Sequence, residues 1–276
     1  MGFTLWPGIY VPDWNLLTGG ATAYGALMGL TSILTEKQSP MAYSKFGSIV
    51  GVSQLPSKIG MFIIYIPSVI VAILNRNASD VTRFQIINAV TFIHFMKRVL
   101  EVAFVHVYSG TTDLKTSVTI AATYATSAAL NLAIVRRMPT STFTRGFYIA
   151  GLTCFIIGEL VNGYHHILLR RLRTQSNKET SKINELKEQG ERKKKYFLPR
   201  GGLFNYAVTP HYAAEQLSFL GIMLLSQNTA SIAVNSFPFI YLTIRSKSTY
   251  EWYKTRLSDD ERKELQTRKK LLPGLW

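Results

Sequence analysis

Long apolar runs alternate with charged stretches along the chain, and the apolar runs set the expected architecture. Seven of them approach the roughly 20 residues that a helix needs to cross a bilayer. They are 16–34, 60–74, 84–106, 116–135, 147–169, 207–226 and 229–244. The second and last are short, and Ser226–Thr229 is the one break between the last two, so six helices is the alternative count. The pattern predicts an all-α polytopic membrane bundle, one domain over 1–276, with a basic polar loop at 171–202 and a polar tail at 245–276. Within that loop, 181–191 reads as a short surface helix. No charged region followed by a cleavage site opens the chain, so no removable signal peptide is expected.

Composition changes the picture in one respect. Hydrophobic residues make up 47%, yet mean hydropathy is only +0.11, because apolar spans and charged loops average out. Lys and Arg number 31 against 16 Asp and Glu, a net charge of +15. With the N-terminus outside, about 23 of the 31 basic residues fall in inner loops. Only Arg76, Arg83, Arg136, Arg137 and Arg145 lie outside. Such asymmetry orients a membrane protein with its basic side, here including the C-terminus, toward the cytoplasm. The charge would also suit nucleic acid, but no nucleic-acid-binding motif accompanies it, and no such partner is expected. Cys154 is the lone cysteine and lies in an apolar run, which excludes an intramolecular disulfide and a thiolate metal site.

Charged groups inside spans are costly and normally face the bundle interior. The third span reads IHFMKRVLE, placing His94, Lys97, Arg98 and Glu101 at i, i+3, i+4 and i+7, on one helical face. A stripe of four ionisable groups implies a polar cavity or a buried ion-pair network. The fifth span ends in ELVNGYHHILLRRLR, where Glu159, Asn162, His166, Arg170 and Arg173 also share a face. Arginines at a helix end ordinarily reach for headgroups, but Glu159 and Asn162 lie too deep for that. The gradient from amide to guanidinium suits a dinucleotide with a deep nicotinamide and shallow phosphates. Adjacent His165 and His166 point about 100° apart on a helix, so no shared metal is expected.

A third polar cluster, KKKYFLPRGGLFNYAVTPHYAAE, opens the sixth span. Thr209 reads as an N-cap with Pro210 at the first helical position, and His211, Tyr212 and Glu215 follow in the first turns. The positive end of that helix favours an anion, and Gly201-Gly202 would allow backbone to approach a ligand closely. After the last span, Arg245, Thr249 and Tyr253 recur every four residues. The four stripes converge on one end of the bundle, so a single cavity open to the cytoplasmic side is expected. On the first span, Ala21, Gly25 and Gly29 form a small-residue face for close helix packing.

From about Tyr43 to the end, these segments resemble the steroid 5α-reductase superfamily, which also holds polyprenol reductases and very-long-chain trans-2-enoyl-CoA reductases. HFMKRVLEVAFVHVYSG resembles the enoyl-CoA reductase form of the third-helix motif. YSKF, LPSKIGMFIIYIPS, NGYHHILLRRLR and PRGGLFNYAVTPHY resemble the plant steroid-reductase-like branch, with Val161 standing where that branch has glycine. The resemblance implies seven helices enclosing NADPH in the endoplasmic reticulum membrane. It carries cofactor contacts onto Asn162, His166, Arg170, Arg173, Tyr196, His211, Glu215, Arg245 and Tyr253. His166 stands at an acidic position of the steroid enzymes and His211 at an asparagine. Lys97 and Tyr212 match residues implicated in enoyl reduction, and His94 joins them as a candidate catalytic group. Phe95 replaces the steroid enzymes' catalytic tyrosine and Tyr65 their glutamine, so an enoyl thioester is favoured over a steroid.

Read this way, NADPH delivers hydride to a conjugated enoyl group of a lipid or acyl-CoA substrate. Tyr212 then donates to the developing oxyanion, and Lys97 makes that phenol more acidic. Two departures point elsewhere. The loop after Arg173 is longer than the family's, and the tail SDDERKELQTRKKLLPGLW carries an insertion. Residues 174–195 and the tail would be docking surfaces for other proteins. The alternative is therefore a catalytically silent, reductase-derived subunit of a larger assembly, with the mitochondrial inner membrane as its alternative site.

Overall fold

The computed structural model describes residues 2–5, 8–38, 53–108, 110–185 and 197–275. Tyr196, the YSKF segment and 186–191 lie outside the described residues. Helices form at all seven expected places: α1 (Leu16–Gln38), α2 (Ser57–Leu74), α3 (Thr82–Leu100), α4 (Leu114–Arg136), α5 (Arg145–Glu185), α6 (Pro210–Ser226) and α7 (Thr229–Lys254). An eighth helix, α8 (Asp259–Gln266), lies in the tail. On length and composition, α2, α4 and the Arg145–Gln175 part of α5 can cross a membrane. These apolar helices support an integral membrane protein.

The all-helical expectation needs one correction. Two small antiparallel pairs form, β1 (Phe3–Leu5) with β2 (Ile9–Val11), and β3 (Gln54–Pro56) with β4 (Thr111–Asp113). The second joins segments too far apart for local periodicity to reveal. The expected surface helix also takes another form, because 181–185 is the end of α5. The polar tail contains a helix, and Ser258 and Glu261 share a hydrogen bond across the first turn of α8. That S-x-x-E spacing is a capping-box signature readable in sequence.

Caps explain several boundaries. Asp113 accepts from Thr116 N at 2.8 Å and starts α4, and Asn228 accepts from Ser231 N at 2.8 Å and starts α7. Between α6 and α7, Gln227 adopts a left-handed conformation (φ 53°), which ends one helix before Asn228 caps the next. Thr209 corrects its expectation. Its hydroxyl donates to Lys270 O at 2.7 Å instead of capping α6. The reason is that the tail folds back, with Val208 N and Thr209 N donating to Lys269 O and Lys270 O. Leu265 and Leu271 are buried, so the tail packs on its own chain.

The helices that carry the polar stripes meet closely. On α5, a Cβ at Gly158 would stand 2.6 Å from Ser218 N and 2.7 Å from Ala214 O of α6. On α1, a Cβ at Gly25 would collide with the Ala233 carbonyl of α7. Small residues therefore let α5 meet α6, and α1 meet α7, at backbone distance. An apolar core of Phe84, Ile87, Leu132, Phe155, Phe219, Ile222 and Leu225 lies between α3, α4, α5 and α6. The polar stripes sit at one end of it.

Candidate functional site

The α3 stripe is buried and faces α5. His94 Nδ1 lies 2.6 Å from Glu159 Oε1. Lys97 Nζ donates to Asn162 Oδ1 at 2.6 Å and pairs with Glu101 at 3.0 Å and Glu159 at 3.2 Å. Arg98 pairs with Glu101 at 2.8 Å and donates to the Tyr65 hydroxyl of α2 at 2.8 Å. His166 Nδ1 lies 2.9 Å from the same Glu101 oxygen. Both intrahelical pairs that the spacing allowed are thus made, and each extends across to α5. Buried charges need such pairing and hydrogen bonding to tolerate the low dielectric.

The stripe ends in a π-turn, Glu101–Val105, closed by His106 N donating to Glu101 O at 2.8 Å. Wider turns of this kind leave carbonyls without helical donors. Two cations supply them, Lys58 to Ala103 O (3.0 Å) and Arg170 to Phe104 O (2.7 Å), and Arg173 donates to Val107 O (2.8 Å) just beyond the turn. Arg170 and Arg173, expected at cofactor phosphates, therefore bind backbone at and just beyond this turn in the structure. Cations at a C-terminal helix end also complement its dipole.

From α5 the network passes to α6. Asn162 Nδ2 donates to His211 O at 2.9 Å, and the His211 and Tyr212 rings lie 4.3 Å apart. Arg245 of α7 acts electrostatically on the Tyr212 hydroxyl, and Thr249 stands one turn further along that helix. Lys97 and Tyr212 are thus linked through Asn162 and the α6 backbone. The cation acting on the Tyr212 hydroxyl is Arg245, however, with Lys97 turned toward two carboxylates instead. Glu215 is 6% exposed and acts electrostatically on Arg98 and Tyr65. Among the described residues its carboxylate has no hydrogen-bond or ion-pair partner. Tyr253 is buried in an apolar cluster with Leu198, Val208, Leu257 and Leu265.

Two neighbouring features have structural roles. Gly201 and Gly202 adopt positive φ (91° and 54°), and Gly202 lies against Tyr164 and His165 of α5 rather than leaving a ligand approach. His165 Nε2 accepts from Leu203 N at 3.1 Å, which pins that turn to α5. His165 and His166 do diverge as expected, one to this turn and the other to Glu101. The Glu101, His106 and His166 ligand atoms lie within 4.8 Å of one another, a spacing open to a metal ion. The Arg98 guanidinium already places positive charge there, 3.2 Å from His166 Nδ1.

Glu36 was missed by the sequence reading. It lies on α1, fully buried, with Oε1 2.8 Å from Arg245 Nη1. The small face of Ala21, Gly25 and Gly29 runs on by seven residues to Glu36, and that register is the signal that points to it. Tyr65 entered only through the resemblance, and its hydroxyl proves to be the partner of Arg98.

The chain is similar to known proteins over much of its length. Residues 84–276 match the family model described as 3-oxo-5-alpha-steroid 4-dehydrogenase. The chain is 29% identical over 185 residues to a very-long-chain enoyl-CoA reductase of Dictyostelium discoideum, covering 66% of this chain and 55% of that one. It is 33% identical over 81 residues to the steroid 5-alpha-reductase DET2 of Solanum lycopersicum, 29% of this chain and 30% of that one. It is 29% identical over 106 residues to human 3-oxo-5-alpha-steroid 4-dehydrogenase 1, 38% and 35% respectively. The aligned part spans between 30% and 55% of the length of these relatives.

Proposed function

Because the chain belongs to the 3-oxo-5-alpha-steroid 4-dehydrogenase family, we propose that it is an NADPH-dependent membrane reductase of a conjugated carbon–carbon double bond in a lipid substrate. The observation that carries this reading is the buried polar chain from His94 through Glu159, Lys97 and Asn162 to the first turn of α6. Buried charges that are fully paired add little net stability over apolar packing, so a site is the economical reason to keep them. An enoyl-CoA thioester is favoured over a steroid. Phe95 has no hydroxyl and packs among Met61, Ile64 and Val69, while the Tyr65 hydroxyl is held by Arg98. The endoplasmic reticulum membrane is the proposed location.

The residues present fit a nicotinamide dinucleotide in one specific way. Glu215 is a buried acceptor with no hydrogen-bond or ion-pair partner among the described residues, suited to a carboxamide N–H, and Asn162 reaches the first turn of the same helix through the His211 carbonyl. In this reading His166, His211, Arg245 and Tyr253 are the further cofactor contacts, and Arg170 and Arg173 serve the phosphates. NADPH, when bound, supplies hydride. The protein's task is to hold the enoyl carbonyl against Tyr212, whose hydroxyl stabilises the oxyanion and then delivers its proton. Arg245 and its partner Glu36 act on that hydroxyl in opposite senses, so Tyr212 itself carries the hydrogen bond to the oxyanion. Tyr212→Phe should lower turnover by about 10²–10⁴ while leaving the fold intact.

One observation favours a second reading. Arg170, Arg173 and Arg245 are already engaged by protein groups, as suits a catalytically silent subunit that keeps the reductase frame in a larger membrane assembly. A thermal-shift titration of the purified protein with NADPH and NADH, followed by enoyl-CoA turnover, separates the two. The reductase reading expects stabilisation by NADPH of about 2.7 kcal/mol at a hundredfold excess over its Kd, with less from NADH, which lacks the 2′-phosphate. No shift with either cofactor in a folded sample leaves the silent subunit. A shift without turnover retains the cofactor site and removes the chosen substrate.

A further inference from the structure

The first helix contributes a charge to the site from outside the family match, which begins at residue 84. Ala21, Gly25 and Gly29 share the face of α1 that packs on α7. A Cβ at Gly29 would lie 2.8 Å from Ile240 Cδ1, and one at Gly25 would meet the Ala233 carbonyl. Two turns beyond Gly29 on that face stands Glu36. Its carboxylate lies 2.8 Å from the Arg245 guanidinium, with the two side chains 0% and 1% exposed. Both Glu36 and Arg245 act electrostatically on the Tyr212 hydroxyl of α6.

Three features constrain what Glu36 does. The pair is too buried for screening by salt to release it. The backbone contact between α1 and α7 prevents the carboxylate from swinging away while the helices stay together. A guanidinium held by a carboxylate keeps a defined plane and carries little net charge to its surroundings. We propose that Glu36 is a positioning residue: it fixes Arg245 and cancels its charge, so that the pair meets a bound NADPH as an oriented, neutral hydrogen-bond donor. Attraction of the phosphates then falls to Arg170 and Arg173. The inference rests on the reading that this cavity binds NADPH.

The test measures NADPH affinity of the full-length protein from low to high ionic strength. It compares the wild type with Glu36→Gln, Glu36→Asp and the double variant Glu36→Gln/Arg245→Gln. At high salt Glu36→Gln should bind NADPH about ten- to a hundredfold more weakly, the worth of one oriented charge-assisted hydrogen bond. Its salt dependence should be steeper than wild type, because the guanidinium has lost the Glu36 counter-charge. Glu36→Asp keeps the charge and should restore the wild-type slope. The double variant should also return to the wild-type slope while staying weak. Wild-type affinity and slope in Glu36→Gln would overturn the positioning role and leave NADPH binding untouched. If Glu36→Gln fails to fold, a double variant with a steeper slope, or Glu36→Asp with an altered one, overturns it equally. A wild type that binds no NADPH at any salt overturns the reductase reading and takes this inference with it.

Discussion

Replacing Gly158 with alanine tests whether backbone contact between α5 and α6 is what builds the site. The added Cβ would stand 2.6 Å from Ser218 N and 2.7 Å from Ala214 O, helix backbone that cannot rotate aside. Reaching the 3.4 Å of ordinary contact requires the helices to part by about 0.8 Å, the difference between 3.4 and 2.6. Overpacking of this kind costs about 1–3 kcal/mol, which lowers Tm by roughly 2–12 °C for a chain of this size. One turn further on, the Asn162 Nδ2 to His211 O bond of 2.9 Å would open to about 3.7 Å if it followed the helices. That is past the hydrogen-bonding range of about 3.2 Å. Stability and the cofactor response should therefore fall together. The assay is a thermal melt with and without NADPH. Gly146→Ala is the control, since nothing lies within 4 Å of its Cβ. A Gly158→Ala protein that melts with the wild type and keeps its NADPH shift would refute the packing argument.

Two further outcomes are expected. On a Cys154→Ser background, a thiol at Lys254 should label from the cytoplasmic side and one at Arg137 from the opposite side. The reverse pattern would overturn the orientation drawn from the charge asymmetry. In the tail, the hydrogen bond from Arg200 holds the Glu264 carboxyl below the usual carboxylate range, helped by Arg268. A carboxyl depressed on folding contributes stability that is complete above its unfolded value of about 4.3 and is lost as pH falls through its folded one. Glu264→Gln should thus melt below the wild type at neutral pH and converge with it below about pH 4. A gap that stays constant through acid would remove this pair from the account of how the tail is anchored.

The helices and the first two stripes were legible because both rest on local periodicity. Lys97, Arg98 and Glu101 share a face whatever the tertiary structure, and Asn162 and His166 share another. What periodicity cannot supply is which stripe meets which. Lys97 was expected to act on Tyr212, but Glu101 on its own helix and Glu159 on α5 claim its ammonium. Glu36 continues the small-residue face of α1, which places it toward a packed neighbour, but only the α1–α7 contact shows that Arg245 is its partner. Gly201 and Gly202 were correctly read as permitting close approach, but what approaches is the side of α5. Thr209 had the residue type and position of a cap, and a carbonyl 61 residues away took its hydroxyl. Each misreading exchanges a local partner for a tertiary one of the same chemistry.

The balance of charge in the buried network leads to the last prediction. Lys97 and Arg98 are paired with Glu101 and Glu159, and Arg245 with Glu36. Glu215 alone among the buried carboxylates of the network has no ion-pair or hydrogen-bond partner among the described residues. An unsatisfied buried group of this kind costs about 1–3 kcal/mol, more when charged, and Arg98 nearby offsets part of it. Glu215→Gln keeps the shape and removes the charge, so the protein without cofactor should become more stable by about 1 kcal/mol, raising Tm by roughly 2–4 °C. The same change should weaken NADPH binding, because an amide accepts a carboxamide N–H less strongly than a carboxylate does. Its salt dependence should not change, since the phosphates lie elsewhere, whereas Arg173→Ala should flatten it. Opposite signs for stability and binding are what a site predicts, because a ligand group and not the fold satisfies the charge. If Glu215→Gln instead lowers Tm without cofactor, the carboxylate belongs to the structural network, and the carboxamide end of the proposed site must be sought on another helix.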